Sequence, residues 1–529
     1  MGGWTPDDAW RHANALNDEF DGPDEFGAHG GSEKYGGPTG AGYGRHGAHS
    51  EPFDAELTEV HRPDLEQAGV HAVALTWVDV AGITRVKTVP LSRFHRAAER
   101  GVGMSPVFDV YLVDDSATTS RHIGGPDGDL RLRPDPDRLT VLAGQPGWAW
   151  APVDRYHQDG RPYEACQRLF ARRMVRRAAE QGIELCMGYE TEWVVSREGA
   201  PACAGPAYGM ARVVELSAYL DDLHTALRAQ GLDVLQLHPE YSQGQFEVSL
   251  APTDPVGAAD EAVLVRETIR AVSLRHGLTA SFGPAIDADS VGNGRHLHLS
   301  LWRDGRNLCG DGGGPFGMTS QCEAFLSGVL YALPGLLALG APSPASYLRL
   351  QPSRWAGAYR CWGLENREAA LRFIAGQPGA TGEPGDPIDP SATSATSATS
   401  ATSATSERGE ASATGEPGVP GTANAEIKCF DPAANPYLVV GAVIAAGLAG
   451  LDAQLALPAP VSGDPVRQDK DRLPTSLTEA VAAFSSSTVL REALGDALSD
   501  AVIAVRTAEV KLFDGVPAQE LAEATRNRY

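Results

Sequence analysis

Hydrophobic and polar positions alternate strictly in three separated stretches of the chain. Residues 188–195 read GYETEWVV, with Glu190 and Glu192 two positions apart. Residues 294–302 read GRHLHLSLW, where His296, His298 and Ser300 interleave with Leu297, Leu299 and Leu301. Residues 425–430 read AEIKCF, where Glu426 and Lys428 alternate with Ile427 and Cys429. Side chains two apart on a strand share a face. Each stretch is therefore expected to be a strand with one apolar and one ionisable face. A single antiparallel sheet, apolar on its packed side and lining a polar cavity with the other, accounts for all three.

A fourth stretch, 238–250, reads HPEYSQGQFEVSL. Glu240 and Glu247 are an odd number of residues apart, which puts them on opposite faces of a regular strand. Gly244 between them allows a bulge or short loop that restores a common face.

The rest of the pattern sets the domain plan. Residues 71–89 contain two β-rich runs around Asp79-Val80-Ala81-Gly82 and predict a hairpin. A small, mostly β domain is expected over 66–155. The spacing of Cys166, Leu169, Phe170, Met174 and Ala178 predicts an amphipathic helix, which opens one large α+β domain over 160–529. The apolar stretches 325–342 and 437–451 are short or interrupted for a bilayer span and read as buried helices. Residues 1–58 are rich in Gly, Asp and His without apolar periodicity and are expected as a disordered tail. Residues 376–423 carry the run PSATSATSATSATSATSER, which offers no apolar face and is expected as an outward-projecting insertion. Loop-closure entropy grows slowly enough with length for a domain to carry it.

Composition narrows the function. The 529-residue chain has a formal net charge of −24, which argues against nucleic acid or an anionic membrane as partner. Its seven cysteines include no C-x-x-C pair, so neither a disulfide framework nor a zinc site is expected. That usage, with no secretion signal, points to the cytoplasm.

Any one paired charge motif is ordinarily the wet face of an edge strand. Together the four stretches supply five carboxylates and a histidine. Carboxylates held on one face repel unless a positive charge sits among them. Oxygen-rich sites with an occasional imidazole suit Mg2+ or Mn2+. Residues 347–373 add Arg349, Arg354, Arg360, Arg367 and Arg372. Guanidinium groups beside hard cations are equipment for phosphate and carboxylate recognition and for phosphoryl transfer. The chain has no G-x-x-x-x-G-K-[ST] loop and no strand-linked G-x-G-x-x-G, so neither nucleotide-binding motif applies.

In order, the motifs GYETEWV, EYSQGQFEV, GNGRHLHLSL, SYLRLQP, ENREAALRF and AEIKCFDPAANPYL resemble the glutamine synthetase family. The resemblance runs from about 66 to the C-terminus, apart from the insertion. It implies an α+β fold with an N-terminal β-grasp domain and a catalytic domain, and active sites between neighbours in a homo-oligomeric ring, often a dodecamer. It implies two or three Mg2+ or Mn2+ per site. One would fall to Glu192, Glu240 and Glu247, another to Glu190, His296 and Glu426. His298 and Ser300 match positions near ATP. Arg367 and Arg372 match the arginines on the transferred phosphoryl group and ATP phosphates. Gly292, Arg349 and Lys428 fall at the glutamate site. The implied chemistry is attack of the glutamate γ-carboxylate on ATP, then displacement of phosphate from γ-glutamyl phosphate by an amine, under a flap that excludes water.

The chain departs from the family at the amine. The flap glutamate that receives ammonium falls six residues after Arg349, where this chain has Trp355. An indole takes no proton, but it stacks on a carbon chain or a cation. The arginine expected two residues after the metal glutamate is Lys428, which loses bidentate geometry. Asp115 is the candidate for the family's second ammonium ligand. These changes favour an organic amine, such as a polyamine, ethanolamine or a monoamine, as in γ-glutamyl-amine synthetase members of the family. Ordinary glutamine synthesis from ammonium is the alternative, and a non-catalytic homologue a third reading.

Overall fold

The computed structural model describes residues 62–376 and 422–529. The 1–58 tail and nearly all of the 376–423 insertion therefore lie outside the described residues.

The predicted N-terminal hairpin forms. Strands β1 (Ala72–Val78) and β2 (Thr84–Pro90) pair antiparallel. In the turn, the Asp79 carboxylate accepts the Ile83 N–H at 2.9 Å, and Gly82 takes a left-handed φ of +87°. Strands β3 (Val102–Met104), β4 (Leu130–Pro134), β5 (Thr140–Val141) and β6 (Trp148–His157) complete this sheet. Its order is β2-β1-β6-β4-β3, with β5 on β6. Only the β1–β6 pairing is parallel.

The second sheet carries all four alternating stretches. Its strands are β7 (Glu184–Arg197), β8 (Ala200–Pro201), β9 (Val234–Pro239), β10 (Gln245–Leu250), β11 (Thr279–Ser281) and β12 (Arg295–Arg303). They are followed by β13 (Arg306–Asn307), β14 (Tyr359–Leu364), β15 (Ala369–Ile374) and β16 (Asn424–Ile427). The order is β14-β15-β16-β12-β7-β10-β9, antiparallel except between β14 and β15. The short strands β8, β11 and β13 pair at its margins. Leu297, Leu299 and Leu301 on β12 are buried, as the alternation requires.

Helices cover the apolar side: α1 (Gln167–Glu180), α2 (Pro255–Arg275), α3 (Ser320–Gly340), α4 (Ser346–Arg349), α5 (Pro436–Asp452) and α6 (Asp496–Leu512). The expected amphipathic helix is α1, which buries Phe170, Met174 and Ala178. By length and composition α3 is apolar enough to cross a membrane, but 83% of its apolar window is buried within the protein. It packs on α5, so closely that a Cβ at Gly328 would lie 2.3 Å from the Ala446 carbonyl. Burying a Leu or Val completely stabilises a fold by about 1.5–3 kcal/mol, and α5 buries nearly all of its side chains.

The segment before α5 locks the hairpin to the larger α+β region. Asn435 caps α5, its side chain accepting the N–H groups of Tyr437 and Leu438. Its amide donates at 3.1 Å to the carbonyls of Val78 and Asp79. Arg266 donates to the Gly82 carbonyl at 3.0 Å, and Arg506 to that of Val80 at 2.6 Å. Gly82 has no alternative here, because a Cβ would meet the Ala433 oxygen at 1.8 Å.

Candidate active site

Cross-strand register turns four local patterns into one row of charge. On adjacent strands Arg372 faces Glu426, and Glu426 faces His298. His296 faces Glu190, Glu192 faces Glu247, and Glu247 faces His238. Residues directly opposite share a face, so the row crosses β15, β16, β12, β7, β10 and β9 on one side of the sheet. Glu240 joins it through the expected short loop. β9 and β10 form a hairpin whose turn contains Gly244, with a left-handed φ of +70°.

The contacts are short. His296 Nδ1 lies 3.2 Å from Glu190 and 3.1 Å from Glu426. His298 Nε2 lies 3.3 Å from Glu190. Lys428 Nζ and Arg372 Nη1 donate to Glu426 at 2.9 and 3.0 Å. Arg349, at the end of α4, reaches His296 Nε2 at 3.1 Å. On the other side, His238 Nε2 lies 3.2 Å from Glu247, and the Tyr208 hydroxyl donates to Glu240 at 2.8 Å.

This distribution polarises the site. Burial works to raise the Glu426 carboxyl, but Lys428, His296 and His298 outweigh it and hold it well below the usual range. Glu190 is also held low, with His298 and His296 outweighing burial. Among the described residues no arginine or lysine ion-pairs with Glu240. Burial, then Glu247 and Glu192, push its carboxyl up to about 8. Glu247 is raised by burial and by Glu190. Its neighbour His238 is carried up to about 9, because Glu247 and Glu240 outweigh burial. A divalent cation would relieve the half around Glu240, and the donor set fits one. Three sets of ligand atoms lie within 4.8 Å of one another: Glu190–Glu247–His296, Glu190–His298–Glu426 and His238–Glu240–Glu247.

These groupings differ from the two triads implied by resemblance. Glu192 enters none of the three; its carboxylate accepts the Gln245 side-chain amide at 2.8 Å. His298, expected beside ATP, stands within the carboxylate cluster. Which carboxylates share an ion depends on register and side-chain reach, and neither is written in local spacing.

The glutamate-site candidates gather at the cluster. Lys428 and Arg349 are buried, and Gly292 packs against Arg349. A Cβ on Gly292, whose φ is +74°, would meet the Pro284 oxygen at 2.1 Å and the Arg349 Cβ at 3.0 Å. Ser300 is on β12 and accepts the Trp302 indole N–H at 2.9 Å. Arg367 lies exposed in the turn between β14 and β15 and makes no ion pair among the described residues. Arg354 donates to the Ser290 carbonyl, and Arg360 pairs with Asp471 at 2.7 Å. Trp355 is 55% exposed with φ +53°. Asp115 is not brought to the cluster: its carboxylate pairs with Arg85 at 2.7 Å and Arg528 at 3.2 Å.

Sequence reasoning missed His238, Tyr208 and Gln245. His238 had a signal, because it stands two residues before Glu240 in the same stretch. Tyr208 had none, since its loop is set by Arg212, which donates to the Glu240 and Ser242 carbonyls at 2.6 Å.

A carboxylate–imidazole row edged by guanidinium and ammonium groups, on an α+β scaffold, defines a site for anionic substrates and divalent cations. The sequence profile of the glutamine synthetase catalytic domain matches residues 164–382 and 414–524. The chain belongs to the glutamine synthetase family and is a carbon–nitrogen ligase of that type. It is 50% identical over 493 residues to gamma-glutamylpolyamine synthetase GlnA3 of Streptomyces coelicolor, covering 90% of this chain and 98% of that one. It is 28% identical to the glutamine synthetase of Pyrococcus horikoshii, covering 86% and 93%. Among solved structures, a novel glutamine synthase homolog superposes with a TM-score of 0.74 at 30% identity, covering 87% of this chain and 99% of that one. A GmaS/ADP complex superposes with a TM-score of 0.72 at 25% identity, covering 89% and 99%.

Proposed function

We propose that the protein joins the γ-carboxylate of glutamate to an organic amine, at the expense of ATP. The observation that carries this reading is Trp355, standing where an ammonium-using relative needs an acid, in a chain that carries residues at the metal and phosphoryl-arginine positions the resemblance implies. The half-identical γ-glutamylpolyamine synthetase supports the same choice.

In this reading Arg349, Gly292 and Lys428 hold glutamate. Arg367, Arg372, His298 and Ser300 serve ATP. Two or three Mg2+ or Mn2+ ions would be held by Glu190, Glu192, Glu240, Glu247, His296 and Glu426, and would supply Lewis-acid neutralisation of phosphate charge. The glutamate oxygen attacks the γ-phosphorus and ADP leaves. The amine nitrogen then attacks the acyl carbon, phosphate leaves, and a proton is released. Arg372 already ion-pairs with buried Glu426, so its charge is positioned before phosphoryl transfer begins, which is the form of electrostatic catalysis that costs no reorganisation. Lys428 offers one charge rather than a fork, sufficient for a carboxylate held elsewhere by Arg349.

The same proposal includes a homo-oligomeric ring, a dodecamer by resemblance, because Asp115 does not reach the cluster of its own chain. A cytoplasmic location agrees with seven cysteines that are all free thiols.

The test is phosphate release with Mg2+, ATP and glutamate while the amine varies among putrescine, spermidine, ethanolamine, ammonium and none. Turnover with an organic amine but not ammonium is expected. Turnover with ammonium alone restores plain glutamine synthesis.

A further inference from the structure

We propose that Glu368 binds the distal ammonium group of a diamine or polyamine substrate, beside the indole of Trp355. The assignment deepens the organic-amine reading and rests on it. Glu368 immediately precedes β15 and follows Arg367. One of its carboxylate oxygens accepts the Trp355 backbone N–H at 2.7 Å. The other, Oε2, is buried and has no hydrogen-bond partner among the described residues. A carboxylate oxygen withheld from water is costly unless a donor meets it.

The surroundings place this oxygen at the edge of the catalytic row. The loop carrying Trp355 passes directly over Lys428, where a Cβ on Gly357 would lie 3.0 Å from the Lys428 Cβ. The Lys428 ammonium donates to Glu426 at 2.9 Å. Burial, aided by Asp464, leaves the Glu368 carboxyl raised against the lowering by the Trp355 and Ser353 N–H groups and by Lys428. What is missing is a cation with N–H donors. A primary alkylammonium has both, and its carbon chain suits an exposed indole face. Ammonium itself, or a monoamine, has no second charge to offer once its nitrogen is at the acyl carbon. Glu368 thus supplies a reason for the enzyme to prefer amines with two charges.

The experiment compares putrescine with butylamine, an amine of equal carbon length and one charge, for the wild type and E368Q. Glutamine keeps the carbonyl oxygen that accepts the Trp355 N–H and removes only the charge. E368Q is expected to raise KM for putrescine by about tenfold or more with kcat held within about twofold, the signature of lost uniform binding. Its KM for butylamine should move by less than about twofold. The thermal midpoint, recorded alongside, checks that the loop is intact. Equal losses on both amines make Glu368 a loop anchor and overturn the assignment. So does an unchanged preference for putrescine. A wild type that uses no organic amine overturns the parent reading first, and is distinguishable because it appears without any substitution.

Discussion

Two buried charge clusters in this protein are built on opposite terms. One joins the N-terminal sheet to the helices. Arg168 on α1 contacts Asp260 at 2.8 Å, Asp154 at 3.1 Å and Asp135 at 2.7 Å. Arg172 also pairs with Asp135, Arg138 approaches Asp260 at 3.8 Å, and the Tyr437 hydroxyl donates to Asp260 at 2.7 Å. Each carboxylate there meets at least one guanidinium, and Arg168 touches all three. Burial works to raise Asp135, but Arg168 and Arg172 outweigh it and hold its carboxyl down. The other cluster is the carboxylate–imidazole row. Around Glu240 and Glu247 carboxylates accumulate with no arginine or lysine ion-paired to them among the described residues, and their carboxyl groups are pushed up. A charge-matched cluster is complete with its own residues and serves the fold. A cluster left short of positive charge is built for something that arrives.

Breaking the matched cluster should cost the fold most. R168A removes the one guanidinium that all three aspartates share, and removing one partner from a buried ion network costs about 3–5 kcal/mol. Urea unfolding should show that loss. A loss under about 1 kcal/mol would mean that the cluster is solvated and the contrast is false.

Breaking the mismatched cluster should cost activity instead. E247Q removes one of several repelling carboxylates, so the metal-free protein should melt no lower than the wild type. Loss of a group that organises transition-state charge typically costs about 10²–10³-fold in kcat. Activity and melting point measured on one preparation test the pairing of these effects.

A third buried group sharpens the contrast from between the two extremes. Glu509 on α6 has a single cation among the described residues, Arg506 at 3.2 Å. Burial exceeds that help and pushes its carboxyl up to about 7. The folded state then holds a proton that the unfolded chain has released. Its contribution is full below the ordinary carboxylate range and is lost as pH rises through about 7. A carboxyl raised that far above its ordinary value makes the loss roughly 3 kcal/mol. E509Q should flatten the fall in stability between these limits. An unchanged pH profile would remove Glu509 as its source.

The difference between the clusters also explains what was legible in the sequence. The carboxylate–imidazole row was readable because period-two alternation is local. GYETEWVV, GRHLHLSLW and AEIKCF each reveal which side chains share a face without knowledge of any partner strand. Their union in one sheet followed from economy, and the α+β fold from the same pattern. The grouping of ligands did not, because it depends on register: His238, though two residues before Glu240, meets Glu247 because the two stand opposite each other on β9 and β10. The positions of Trp355 and Glu368 were equally hidden, since a loop N–H meeting a carboxylate thirteen residues away leaves no pattern. The matched cluster was invisible altogether. Asp135, Asp154, Arg168 and Asp260 come from four elements with no common spacing, and only packing brings them together.

The smallest expected effect is also the most direct test. Ligands that bind only the folded state stabilise it by about 2.7 kcal/mol at a hundred times Kd. Mn2+ should be titrated into chelator-treated protein by calorimetry, for the wild type and E240Q. The account predicts more than one Mn2+ bound per wild-type chain, and one fewer, or markedly weaker binding of one, for E240Q. Wild-type protein that binds no Mn2+, or E240Q that binds it unchanged, would contradict the claim that the half of the sheet around Glu240 is built to receive a divalent cation.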